Sequence, residues 1–252
     1  MEKPFVEQFV FEGVSTITFY SPSHNALPSD LLLKLELEIN LAAKNDAVRV
    51  VILQSQGDRT FCAGASFNEL IAIETAEAGQ LFFSGFAKVI NAMRTCPKFI
   101  VCNVQGKTVG GGVGIAAAAD YCLATKYAAI KLSELSIGIG PFVIEPAVSR
   151  KIGVNSMSEM AINAEQFYSA EWAKQKGLYV ELYPSKVEMQ TATADLVNKL
   201  KTYNPEAMAA MKSIMWTNTA HWDELLVERA RISGTLVLST FTKTVLQKYK
   251  TA

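Results

Sequence analysis

Histidine is nearly missing from this chain of 252 residues: His24 and His221 are the only two. The four cysteines, Cys62, Cys96, Cys102 and Cys122, are scattered without the spacing of metal ligands. That inventory excludes an ordinary zinc site, and four cysteines in a chain of this size do not make a disulfide framework. Free, buried thiols in a reducing compartment are expected instead. Net charge is also lacking, since 24 basic side chains face 24 acidic ones. Nucleic acids and anionic membranes both reward a basic surface, so neither is an expected partner. No apolar run approaches the length of a membrane span, and the opening MEKPFVEQFVFEG has no basic segment followed by an apolar one. The expectation is a cytoplasmic protein that acts on a small molecule.

What is present is apolar bulk and recurring order. Half of the residues are hydrophobic, enough for one large domain with a helical appendage. FVEQFVF and VSTITFY alternate around Glu12-Gly13 and predict a hairpin. Pro22 and Asn25 close it, and a helix follows whose start is marked by Ser29-Asp30. VRVVILQSQ reads as a buried strand, GDRTFCAGASFNE as a loop, and EAGQLFFSGFAKVINAMRTC as a helix. KFIVCNVQG is again a strand, and GKTVGGGVGIAAAAD leads into a short helix before DYCLATKYAAIKLS, read as extended. Strand, loop and helix in repetition predict an α/β core with largely parallel strands, whose ligands sit beyond the strands' carboxyl ends. From about Gly153 the pattern becomes helix after helix, with GLYVELYP the one strand. Met208, Met211, Met215 and Trp216 give that region apolar faces that either pack on its own core or need a partner surface.

Three segments can carry chemistry. FCAGAS and VGGGVG each follow a predicted strand, and their small residues let a ligand approach backbone N–H groups. A helix N-terminus adds the positive end of its dipole. Two such donors converging on one carbonyl oxygen form an oxyanion hole, although tight helix–sheet packing explains either loop alone. Downstream, KLSELSIGIGPFVIEP sets Glu134 among Leu, Ile, Val and Phe, where a carboxyl has a raised pKa and trades protons near neutrality.

FCAGAS, GGGVGIAAAAD and SELSIGIGP, in this order and spacing, resemble the core motifs of the crotonase family, the enoyl-CoA hydratase/isomerase superfamily. The resemblance covers nearly the whole chain. It implies a crotonase-like ββα spiral core over residues 1–195 and a helical oligomerisation region over 196–252. It further implies an acyl-CoA thioester substrate whose carbonyl oxygen lies between the N–H groups of Ala65 and Gly111, with Glu134 as the acid–base residue. Ala63, Lys248 and Tyr249 would contact the CoA, which belongs to the substrate; no metal and no other cofactor is implied. A homo-oligomer, either a trimer or a dimer of trimers, is expected.

Departures from the family pattern bear on the reaction. Hydratases with two glutamates read GGGxE where this chain reads GGGVG, so Gly114 replaces the first. The run Glu134, Gly138, Pro141, Ile144, Pro146 and Val148 is similar to bacterial methylglutaconyl-CoA hydratases, in which GGGVG also occurs. In that preferred reading Glu134 both activates water and supplies the α-proton, and Glu145 is a solvated residue or a stand-in for the missing carboxylate. The alternative is an enoyl-CoA isomerase, for which one glutamate suffices; the pair Pro141-Phe142 resembles that subgroup. A dehalogenase is disfavoured because Phe142 stands where that group has a nucleophilic aspartate. A non-catalytic member is the remaining class. Ser66 replaces a common aspartate and is expected to cap the helix starting near Asn68. Leu70, Phe82, Phe83, Phe86, Phe142 and Val143 are candidates for the acyl pocket.

Overall fold

The computed structural model describes residues 3–250, with side chains through residue 248. Strands β1 (Phe5–Phe11) and β2 (Val14–Tyr20) form the expected antiparallel hairpin. Its turn falls at Glu12 and Gly13, both with positive φ, as a two-residue hairpin loop requires. Helix α1 (Ser29–Lys44) buries Leu31, Leu32, Leu35, Ile39 and Ala42, the stripe that a 3.6-residue period puts on one face. Its start is held from outside. The Ser29 amide and hydroxyl donate to the Glu69 carboxylate at 3.0 and 2.7 Å, while the N-cap, Pro28, supplies no side-chain bond.

Three ββα turns follow. The first comprises β3 (Val50–Ser55), β4 (Thr60–Cys62), α2 (Phe67–Ile71) and α3 (Ala76–Thr95). β5 (Phe99–Val104), β6 (Lys107–Val109) and α4 (Gly111–Ala118) make the second. The third has β7 (Tyr121–Thr125), β8 (Ile130–Lys131), a 3-10 turn at Glu134–Ile137, and α5 (Glu145–Ile162). Then come α6 (Ala170–Gln175), β9 (Glu181–Tyr183), α7 (Lys186–Leu200), α8 (Pro205–Met215), α9 (Trp222–Leu236) and α10 (Thr240–Lys250). Each turn gives one strand to a six-stranded sheet, ordered β1-β2-β3-β5-β7-β9, and one to a small sheet, ordered β4-β6-β8. Beyond the hairpin the pairings between these strands are all parallel. This is the ββα spiral that the resemblance implied, with the helical C-terminal region in place.

Two boundaries differ from the sequence reading. DYCLATKYAAIKLS is not one extended segment: Thr125 closes a turn by accepting from the Tyr127 amide at 3.2 Å and donating to the Gln105 carbonyl at 2.7 Å. β7 and β8 therefore lie in different sheets. The helical region also begins earlier, at Glu145, and Gly153 is a kink inside α5 with φ of 80°. A division at residue 195 falls within α7, whose Val197 shares a buried cluster with Val50, Val101 and Leu123 of the large sheet. Of the apolar tail residues, Met208 and Trp216 are buried and Met211 and Met215 exposed. All four cysteines are buried and free.

Candidate active site

Among the described residues, the carboxyl ends of β4, β6 and β8 deliver three loops to one cavity of about 440 Å³. Ala63, Gly64 and Ala65 line it from the first loop, Val109, Gly110 and Gly111 from the second, and Lys131, Ser133 and Glu134 from the third. The small sheet is thus what brings FCAGAS, VGGGVG and SELSIGIGP together. Parallel pairing aligns the ends of its strands.

The first loop is tied to the segment before α1. Leu27 donates to the Gly64 carbonyl at 2.8 Å, Ser66 donates to the Leu27 carbonyl at 3.2 Å, and Ala63 to His24 at 3.2 Å. These bonds leave the Ala65 amide over. Ser66 caps α2 as expected, accepting from the Glu69 amide at 3.4 Å. In the second loop Gly111 is the first residue of α4, so its amide has no carbonyl one turn back within the helix. The two loops abut: a β-carbon on Gly64 would stand 3.1 Å from the Val109 carbonyl oxygen and 3.6 Å from the Gly111 nitrogen.

Each glycine of the triplet has its own neighbour. Gly110 holds φ at +52°, and a β-carbon there would meet Glu134 Oε1 at 2.8 Å. One on Gly111 would collide with the Phe86 ring, and one on Gly112 would lie 2.7 Å from Cys62 Cβ. Close approach is therefore demanded by protein atoms as well as by any ligand. Behind the loop, burial pushes the Cys62 thiol up to about 12, so it stays protonated.

Glu134 opens the 3-10 turn. The residue is half-buried because it lines the cavity, while its carboxyl lies inside; Oε2 is buried without a hydrogen-bond partner among the described residues. Burial raises its pKa from 4.5 to about 7, opposed by weaker hydrogen bonds from the backbone of Glu134 and Ser133. Near neutral pH both protonation states are populated, which suits a group that must take and return a proton. The turn ends at Gly138, φ +86°, where a β-carbon would run into Thr242 and Phe241 of α10. The C-terminal helix backs the turn that carries the carboxyl.

Of the acyl-pocket candidates, Leu70, Phe83, Phe86, Phe142 and Val143 line the cavity. Phe82 does not. It packs edge-on against Phe83 in a cluster with Ile73, Val237 and Leu246. Glu145 stands outside the lining and accepts from Ser149 Oγ at 2.6 Å. Lys248 is exposed on α10 and does not line the cavity, and the side chain of Tyr249 falls outside the described residues. Sequence reasoning missed Lys131 and Ser136, and also Ser233, which α9 brings to the cavity from a hundred residues away. The only trace of Ser233 in the sequence is the following Gly234, a glycine inside a helix.

Among the described residues, two loop amides without an acceptor and a buried carboxyl thus line one cavity, the kind of groups that hold an oxyanion and move a proton. The chain belongs to the enoyl-CoA hydratase/isomerase family, whose model matches residues 10–249. The peroxisomal Delta(3,5)-Delta(2,4)-dienoyl-CoA isomerase of Arabidopsis thaliana is 27% identical over 210 residues, 77% of this chain and 74% of that protein. The mitochondrial methylglutaconyl-CoA hydratase of Mus musculus is 28% identical over 189 residues, 75% of this chain and 60% of that protein. An enoyl-CoA hydratase of Bacillus halodurans shares the fold, with a TM-score of 0.90 at 20% identity, over 96% of this chain and 99% of that one.

Proposed function

We propose that the protein is an enoyl-CoA hydratase of methylglutaconyl-CoA hydratase type, adding water across the 2,3 double bond of an acyl-CoA thioester. The observation that carries this is the buried carboxyl of Glu134, with Oε2 unpartnered, in one cavity with the Ala65 and Gly111 amides. The amides of Ala65 and Gly111 hold the thioester oxygen. Ionised Glu134 takes a proton from water while the oxygen of that water bonds to C3. The electron pair of the double bond moves to the thioester as an enolate, which the two amides stabilise. Protonated Glu134 then returns its proton to C2, and the carboxylate is restored. One oxyanion-hole donor is worth about 3–4 kcal/mol in comparable sites. Ala63 contacts the CoA, which arrives with the substrate, so these steps call for no metal or separate cofactor. The working protein is a cytoplasmic homo-oligomer, a trimer or dimer of trimers.

A second reading, double-bond isomerisation, is favoured by Glu134 being the one carboxylate that lines the cavity among the described residues. In it the same group removes a proton from C2 and returns it to C4 of a 3-enoyl thioester. Mass spectrometry separates the two. A panel of enoyl-CoA thioesters, 3-methylglutaconyl-CoA included, is incubated with the protein in water enriched in heavy oxygen. An adduct carrying the heavy oxygen is expected; an isomer of unchanged mass with no adduct would replace hydration by isomerisation.

A further inference from the structure

Gly114 is the fourth residue of α4 and is buried. A β-carbon there would lie 2.6 Å from the Cβ of Ile144, closer still to its Cγ2, and 3.5 Å from Ile90 Cδ1. Carbons in contact sit about 3.5–4.0 Å apart, so not even a methyl group fits. Ile144 cannot easily yield. It is 3% exposed, it is the N-cap residue of α5, and its carbonyl accepts from the Val148 amide at 3.0 Å. It also lines the cavity together with Pro141, Phe142 and Val143. Residue 114 follows Gly111, which lines the cavity, by three positions on the same helix, and the side chain it faces, Ile144, belongs to the cavity wall.

We propose that Ile144 is a specificity-determining residue that fixes this as a one-carboxylate site. Its side chain fills the place into which any side chain at 114 would project, so no second acid–base group can stand there and that stretch of wall is apolar. Glu145, its neighbour, does not take the role, since its carboxylate is engaged by Ser149. Positions 114 and 144 are consequently coupled: a larger residue at 114 is tolerated only when 144 is smaller. The packing claim stands on the contact alone, whereas its consequence for the reaction rests on the function proposed above.

The test uses the full chain with G114A, I144A, G114A/I144A, G114E and G114E/I144A. Thermal midpoints read the packing. G114A is expected to lose several degrees relative to the unsubstituted protein, and G114A/I144A to match or exceed I144A, because the new methyl enters the space that was vacated. A G114A midpoint equal to that of the unsubstituted protein, or simple addition of the two losses, would overturn the proposal. Hydration of an unbranched 2-enoyl-CoA reads the consequence. G114E/I144A is expected to hydrate at least tenfold faster than I144A, and G114E alone to be inactive or unfolded. Equal rates in I144A and a folded G114E/I144A overturn the specificity claim. Should the unsubstituted protein hydrate nothing, the function reading fails by itself, and the midpoints still decide the packing claim.

Discussion

Gly110 and Glu134 are interlocked: the space above the α-carbon of Gly110 is taken by Glu134 Oε1, 2.8 Å from where a β-carbon would begin. The residue that turns the chain into α4 therefore also seats the carboxyl. G110A adds backbone strain at φ +52° to this collision. A residue held in such a region costs about 1–3 kcal/mol, and a chain of this size loses roughly 2–4 °C of midpoint per kcal/mol. The variant is expected to melt several degrees lower. It should also lose more than tenfold in the rate of α-proton exchange of an acyl-CoA in heavy water. Exchange at the unsubstituted rate would show that the carboxyl is not seated by this contact.

Glu134 makes stability depend on pH. Its pKa rises from 4.5 to about 7 on folding, so the folded state binds the proton more tightly than the unfolded one. The contribution is fully present below pH 4.5 and is lost as pH climbs through about 7. By linkage the loss amounts to roughly 3 kcal/mol. E134Q has no proton to lose, so its midpoint is expected to gain on the unsubstituted protein between pH 4 and pH 8. Parallel curves would mean that the carboxyl is solvated. The same variant should lose about 10²–10⁴ in turnover while CoA thioester binding persists.

Much of this site was legible because its parts are local in sequence. FCAGAS, the glycine triplet and Glu134 each stand at the end of a strand, and strand, loop and helix order is visible in the pattern of apolar residues. The small sheet that unites them was not legible, since β4, β6 and β8 have two or three residues each, too few to show alternation. Contacts between distant residues were hidden for another reason. That Gly114 abuts Ile144, or that α9 places Ser233 in the cavity, depends on helix crossings that no local period encodes. The glycines were read as room for a ligand; neighbours within the protein already account for each of them.

A buried ion pair anchors the C-terminal helices to the spiral. Asp120 receives Lys212 Nζ at 2.7 Å, the Ile100 amide at 2.8 Å and Trp216 Nε1 at 3.0 Å, and Lys212 also donates to the Lys98 carbonyl at 2.9 Å. Both side chains of the pair are nearly inaccessible. Removing one partner of such a pair costs about 3–5 kcal/mol, because the other is left charged and buried. D120A and K212A are each expected to cost that much in denaturant unfolding. D120L/K212M should cost less than the two single losses added together. Additive losses would show that the pair is solvated.

A close crossing joins α3 to α9. A β-carbon on Gly79 would lie 2.7 Å from the α-carbon of Gly234 and 2.8 Å from its carbonyl oxygen, so backbone meets backbone and neither side can yield by rotating a side chain. Forcing extra carbon into packed space costs about 1–3 kcal/mol. G79A and G234A are thus expected to lower the midpoint by several degrees. The consequence reaches the cavity, because α3 supplies Phe83 and Phe86 to its wall and Ser233 precedes Gly234. G234A should therefore raise KM for the thioester as it lowers stability. S233A, which removes only a hydroxyl bonded at 3.3 Å to the Arg229 carbonyl, should leave the midpoint near that of the unsubstituted protein. A G234A variant with unchanged midpoint and unchanged KM would mean that the helices separate without cost and that α9 does not shape the pocket.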